Sequence, residues 1–373
     1  VLPPSVRELS NEDLSEFARK QHLAGRLAFA REIYEELLRR EEDPKSCLTM
    51  LASIAYLTGQ DALAEGYVER TLDLYDEHME AYPNDSGARM QRGLLRLARG
   101  ETAEGEAAMA RIDLPLVTKS GPQGEFFTRF EKGIERGLPL MLLTGSPYSG
   151  CERLGEVIAN GLDAANGPLA LGLFPRTSFV ASRLSVAAQG GFVAAETVGP
   201  TPYNLEQMAA AGVSRTVVVT RDPRAVALSW AQAIQIDWNL KLLAPLWREV
   251  FPSASVLRAG APAVLEWSIA TIVPLVCRSL ADWKALADEG RPTAAVRFTT
   301  VEASAADPLG EVRKILAFFG VDQGEFDTAR AQVPDPVAPT NPPPWRAAFT
   351  DAQFAAASAL IPGDLASAFG WPM

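Results

Sequence analysis

Residues 214–220 read Ser-Arg-Thr-Val-Val-Val-Thr and run without a break into Arg221-Asp222-Pro223-Arg224-Ala225-Val226-Ala227-Leu228-Ser229-Trp230. The five successive β-branched side chains Thr216 to Thr220 are stiff at χ1 and suit a pleated surface. An apolar centre without polar alternation suits a strand covered on both faces, so a parallel sheet is expected. Pro223 fits the first turn of a helix, where its missing N–H is no loss, and Asp222 stands where it can cap that helix. The chain is thereby committed to strand, tight turn and helix, with Arg221 at the strand end and Ser229 about two turns into the helix. A planar multi-donor fork and a hydroxyl in these places converge on a single anion.

A second strand-turn-helix unit lies upstream. Leu138, Leu140, Met141, Leu142 and Leu143 form an apolar run that ends in Thr144-Gly145-Ser146-Pro147-Tyr148-Ser149-Gly150. Residues 152–162 then place Leu154, Val157, Ile158 and Leu162 on one side of a helix. A glycine-containing turn between strand and helix aims backbone N–H groups at one point, which suits phosphate. It is not a Walker A loop, because Cys151 follows Gly150 where that loop requires a lysine. A purely structural turn is the alternative reading of this stretch alone.

The first third of the chain has a different period. Phe17, Leu23, Leu27, Ile33, Tyr34 and Leu37 fall at helical spacing, with Gly25 between two helices. After a loop at Asp43 and Pro44 come Leu51, Ile54, Ala55 and Leu57, then Gly59, then Ala64, Tyr67, Val68 and Leu72. Ala18 and Ala52, Gly25 and Gly59, and Ala30 and Ala64 are each 34 residues apart. Small residues at a fixed period let paired helices approach closely while larger ones bridge to the next pair. A looser third unit is marked by Gly93, Leu94, Leu97, Gly100 and Met109; matching Gly100 to Gly59 leaves seven extra residues, expected around Tyr75 to Asn84. An irregular helical domain with accidental spacing is the competing interpretation. Residues 111–136, with Pro115, Gly121 and Pro122, form a boundary followed by a short helix. The expected division is 1–113, 114–137 and 138–373.

Composition narrows the functions. With 373 residues and 47% hydrophobic content, the chain can bury two cores. A net charge of −11 argues against a nucleic-acid groove, which needs a basic stripe, but not against one small anionic ligand. Cys47, Cys151 and Cys277 form no close pair, and the two histidines, His22 and His78, both lie in the N-terminal part. Neither a disulfide framework nor a metal site is expected, a catalytic histidine in the α/β part is excluded unless the helical part reaches over it, and a reducing, cytoplasmic setting follows. The first residues show no basic stretch ahead of an apolar one, which says little about a precursor. Apolar runs such as Trp267 to Val276 are shorter than the ~20 residues that cross a bilayer, so no transmembrane segment is expected. Trp238, Leu240, Leu242, Leu243, Leu246, Trp247 and Val250 read as middle helices, and 267–276 as a buried helix continued by Trp283. Residues 333–344, rich in proline, must form an extended surface connection.

Taken in order, these motifs resemble the PAPS-dependent sulfotransferases, and the 34-residue units resemble tetratricopeptide repeats. The strand, Arg221-Asp222-Pro223-Arg224 and Ser229-Trp230 are similar to that family's 3′-phosphate segment, and Pro147-Tyr148-Ser149-Gly150-Cys151-Glu152 to its first loop. Ala295 to Glu302 with Asp307-Pro308, and Trp345-Arg346 before Phe349-Thr350, resemble its later motifs, so that the likeness covers about residues 138–370. The resemblance implies a three-layer, P-loop-like α/β domain with a parallel sheet behind an all-α repeat domain. It implies transfer of a sulfuryl group from PAPS to a hydroxyl or amine acceptor, with adenosine 3′,5′-bisphosphate as product and no metal. Ser146, Ser149, Gly150, Cys151 and Glu152 would surround the 5′ side, Arg221 and Ser229 the 3′ phosphate, and Arg346 would add a cation.

Tyr148 stands where the family keeps a lysine or arginine, with Arg153 as partial substitute. Glu196, at a strand end where many members carry a histidine, is the candidate base; pairing with Arg176, Arg183 or Arg224 is its alternative fate. The repeats would recruit a protein partner or self-associate. The rival function keeps the sulfotransferase fold with lost or altered activity and acts through the repeats alone.

Overall fold

The computed structural model describes residues 2–118, 122–236, 240–290, 294–333 and 344–372. Gly121, Trp238 and all but the ends of the proline-rich stretch 333–344 fall outside the described residues.

Among the described residues, the N-terminal helices come in successive pairs: Asn11–Leu23 with Leu27–Arg39, Pro44–Thr58 with Asp61–Ala81, and Ser86–Arg99 with Thr102–Arg111. The alanines of the 34-residue period, Ala18, Ala30, Ala52 and Ala64, are all fully buried. Gly105 gives the same close approach in the third pair, since a Cβ there would collide with Leu97. The extra residues of the third unit are absorbed by Asp61–Ala81, a helix of 21 residues against 13 in Leu27–Arg39. This part of the chain is an all-helical array of hairpins.

Packing draws the division elsewhere than the expected 1–113, 114–137 and 138–373. The two compact units are Val1–Gly105 with Ala231–Ser268, and Glu106–Trp230 with Ile269–Met373. Residues after 230 group with the hairpins for a physical reason: Leu246 joins the core of Tyr56, Val68 and Leu72. Arg248 pairs with Asp61 at 3.1 Å and lies 4.4 Å over the Tyr56 ring.

The second unit holds strands β1 (Met141–Gly145), β2 (Ala165–Asn166), β3 (Ala170–Leu171), β4 (Ser178–Phe179), β5 (Phe192–Glu196), β6 (Arg215–Thr220) and β7 (Ala295–Thr300). A parallel five-stranded sheet runs β2-β5-β1-β6-β7, and β3 with β4 forms a small antiparallel hairpin. The first strand is central, and the chain fills one side of it before the other. In such sheets the turns leaving adjacent strands diverge and leave a crevice at the carboxyl ends. On one face Met141, Leu143, Val193, Ala195, Val217 and Val219 pack against the helices Cys151–Leu162 and Pro308–Phe319. Phe192 points the other way and meets Phe126 and Phe130 of the helix Gln123–Glu135 edge to face. Covered on both faces, β1 and β6 show the uninterrupted apolar pattern anticipated for them.

The helix Ala261–Asp288 has 28 residues and encloses Pro274, so it exceeds the short apolar run 267–276. By length and composition it could cross a membrane, and 50% of its most apolar stretch is buried in the protein.

Candidate functional site

The turn after β1 is built by close approach. A Cβ on Gly145 would collide with the Ser149 hydroxyl and the Val219 carbonyl, so only glycine lets the loop fold back over the ends of β1 and β6. The Ser149 N–H donates to the Ser146 carbonyl at 3.1 Å. Tyr148 takes a left-handed φ of 60°, and Gly150 caps the helix Cys151–Leu162 with φ 79°. In general the first N–H groups of an α-helix have no carbonyl one turn back within the helix, which is why helix N-termini receive anions. Ser146 and Ser149 are 5% and 1% exposed, and neither hydroxyl has a hydrogen-bond partner in the protein. Buried polar groups are nearly always satisfied, so two unpartnered hydroxyls in one turn point to a ligand.

Arg221 closes this cradle from β6. Its Nη1 donates to the Tyr148 carbonyl at 2.8 Å and to Ser229 Oγ at 3.1 Å. The turn after β1, the end of β6 and the second turn of Pro223–Ile236 therefore meet at one guanidinium. Burial lowers the Arg221 pKa from its ordinary value, with Glu302 and Asp222 opposing. The Tyr148 ring stands edge-on to Trp230, centroids 5.9 Å apart, and the residue remains 41% exposed.

The other half of the tetrapeptide does different work. Arg224 is fully buried and grips Asp222 through Nε–Oδ1 at 2.9 Å and Nη2–Oδ2 at 2.6 Å. It also donates to Ser358 Oγ at 2.8 Å and to the Pro372 carbonyl at 2.6 Å, and lies 4.6 Å over Phe354 and 5.4 Å over Trp345. Asp222 caps its helix locally through the Arg224 N–H at 2.9 Å. Arg346 belongs to the same cluster: it lies 4.1 Å over Phe354 and donates to the Phe349 carbonyl and Asp351. The cation expected from the C-terminal Trp345-Arg346 segment is thus engaged beside Arg224.

Glu196 ends β5 at 8% exposure, and its Oε1 accepts the Leu169 N–H at 2.5 Å. Ala195 packs on Gly155 of the loop helix, so by strand alternation Glu196 points to the opposite sheet face. Among the arginines weighed as its partners, Arg183 feels its charge: burial lowers the Arg183 pKa and Glu196 counters this. Arg224 is committed to Asp222. Arg153 is exposed and pairs with Glu156 at 3.6 Å along its own helix. Cys151 is buried with its side chain in the core, so its contribution to the loop is its backbone, and Glu152 is exposed at the first turn.

Sequence reasoning passed over Glu302 as a site residue. The register pairs Thr220 with Thr300, which sets Arg221 beside the start of the helix Val301–Ala306. A Cβ on Gly150 would come within 3.1 Å of Val301 Cγ2, so this helix walls the loop. Although Glu302 lies at the surface, desolvation of its carboxyl raises its pKa from the ordinary value and Asp222 adds to this, opposed by a backbone hydrogen bond and by Arg221. No local pattern in the sequence signals this neighbourhood, because it depends on the pairing of β6 with β7.

Beyond β5 a cleft of about 530 Å³ opens between the Gly199–Pro202 segment and the Leu275, Arg278, Ser279 and Asp282 face of the long helix. The Thr144 hydroxyl ties its rim to β1 by donating to the Val198 carbonyl at 2.8 Å. Among the described residues, no three histidine, cysteine or acidic side chains gather closely enough to hold a metal ion.

No family model matches the chain, and no curated protein matches it. Among solved structures, the mouse sulfotransferase SULT7A1 complexed with PAP is similar to it with a TM-score of 0.41 and 17% identity, over 66% of this chain and 92% of that one.

Proposed function

We propose that the α/β unit binds a PAPS-type nucleotide and directs its sulfuryl group to a hydroxyl or amine acceptor. One observation carries the reading: the Arg221 guanidinium joins the turn after β1 to Ser229, beside two buried serine hydroxyls that have no protein partner. A ligand with anionic groups at both ends fits these donors. The Ser146 and Ser149 hydroxyls and the first-turn N–H groups bind the 5′ side, and Arg221 with Ser229 holds the 3′ phosphate. When bound, such a nucleotide supplies the sulfuryl group, and its 5′-phosphate keeps the electron pair of the breaking S–O bond. The acceptor lies in the cleft beside Gly199, and its proton passes to a carboxylate. Glu196, three residues before that glycine, is the candidate, a carboxylate at the carboxyl end of β5.

Calorimetric titration with PAPS and with adenosine 3′,5′-bisphosphate tests this directly. Binding weakened at least about tenfold by Arg221→Ala is expected, the scale of a charge-assisted hydrogen bond. Absence of binding at millimolar nucleotide removes the proposal. Glu196→Gln should then abolish transfer of labelled sulfate while leaving nucleotide affinity intact; an unchanged rate takes Glu196 out of the mechanism.

A second reading is favoured by the absence of a basic residue at position 148 and by the engagement of Arg153 with Glu156 and of Arg346 with Asp351. In it the unit retains nucleotide without transferring sulfate, and the helical hairpins act by recruiting a partner. Binding of adenosine 3′,5′-bisphosphate with no loss of the sulfuryl group from PAPS, to acceptor or to water, selects this reading.

A further inference from the structure

The cradle differs from a simple cationic clamp because a carboxylate stands in it. Arg221 follows the end of β6, and Glu302 stands in the first turn of the helix that follows β7, the two strand ends being held in register by Thr220 and Thr300. The ionisable groups acting on Glu302 are Arg221 and Asp222, with the Thr300 hydroxyl hydrogen-bonded to it from its own segment. Asp222 has its charge matched by Arg224 at 2.6 Å, so its claim on Arg221 is weak. Glu302 instead bears electrostatically on Arg221, so an incoming anion meets a carboxylate as well as a guanidinium. We propose that Glu302 makes occupation of the Arg221 clamp proton-linked, so that this chain accepts a phosphate or sulfate ester there together with one proton on Glu302. This deepens the nucleotide reading and rests on it.

The electrostatics run in one direction. Partial desolvation already disfavours the charged form of Glu302, and a second anion placed beside it raises its proton affinity further. A group that holds its proton more tightly in the complex than in the free protein draws a proton in on binding, so affinity rises as pH falls. Glu302 is thereby a specificity-determining residue. It favours esters that arrive with low charge or at low pH, and it penalises a full dianion at neutral pH.

The test is calorimetry of the full chain with adenosine 3′,5′-bisphosphate, in buffers of differing ionisation enthalpy between about pH 5.5 and 7.5, for the wild type and for Glu302→Gln. The ligand's own phosphate titrates in this range, and the difference between the two proteins cancels it. The wild type should take up more protons than the variant, by up to about one per nucleotide. Its affinity relative to the variant should fall by up to about tenfold per unit of rising pH. Glu131→Gln, an exposed charge on the helix Gln123–Glu135, should titrate like the wild type, and matching thermal melts establish that Glu302→Gln is folded. Equal proton uptake and parallel pH profiles overturn the inference, even if the variant binds more tightly. Failure of both proteins to bind overturns the nucleotide reading along with it.

Discussion

Arg221 and Arg224 stand three residues apart at the end of one strand and are treated in opposite ways. Around Arg224 the chain completes everything itself: a bidentate carboxylate, a hydroxyl, a backbone carbonyl and two aromatic faces. Around Arg221 it stops short, leaving Ser146 and Ser149 without protein partners and setting Glu302 against the guanidinium. An interior that satisfies its own polar groups is an anchor. One that withholds partners from several converging groups is prepared for a ligand. Lack of partners alone does not suffice, as His22 shows. Its two ring nitrogens are unpartnered at 1% exposure, yet it sits against the Tyr34 ring, 6.1 Å away, with no converging donors.

The largest effect is expected at the anchor. Arg224→Ala leaves the Asp222 carboxylate buried and alone, and should destabilise the fold by about 3–5 kcal/mol in chemical denaturation. Replacing both partners, Asp222→Leu with Arg224→Met, should recover most of that loss. An Arg224→Ala protein of unchanged stability would break the contrast with Arg221.

His22 comes next. Burial depresses its pKa to about 4 from 6.5, so the unfolded chain takes the proton first. The stability it allows is whole above pH 6.5 and declines as pH falls toward 4, by up to roughly 3 kcal/mol. His22→Leu should flatten that decline, measured as the difference in unfolding free energy between neutral and acid pH; an equal decline in both proteins would show that other groups govern it.

At the cradle the effects move from stability to binding. Arg221→Ala should cost nucleotide affinity of about 2 kcal/mol and less than about 1 kcal/mol of folding stability, the reverse of Arg224→Ala. Smallest is Ser149→Ala. Removing a buried hydroxyl that lacks a partner should leave stability unchanged or improve it by up to about 1 kcal/mol, while nucleotide binding weakens about fivefold. A clear loss of stability would mean that the hydroxyl is satisfied within the protein.

Much of this architecture was legible from residue order. β1 and β6 announce themselves because strands buried on both faces leave apolar runs that no helix period explains. The hairpins announce themselves because helices that pack closely need small residues at a constant interval. Other elements left no trace: β2, β3 and β4 span two residues each, too few to impose a pattern. The part of the site contributed by the Tyr148 carbonyl is equally silent, since every residue carries one. Glu302 was visible as a residue but not as a neighbour of Arg221, because the register of β6 on β7 is set by the whole sheet.

By itself the sequence determined the kinds of element and the supply of donors: two strand-turn-helix units, an arginine and serine eight positions apart, and paired helices upstream. Those properties follow from backbone preference and periodicity, which act over a few residues. Only the tertiary structure decided which of two chemically identical arginines faces the cradle and which is sealed in the core. It likewise decided that residues 231–268 pack with the hairpins and that β6 pairs with β7 in the register that brings Thr220 beside Thr300. Side-chain surroundings depend on contacts between segments far apart in the chain, and no local pattern encodes them.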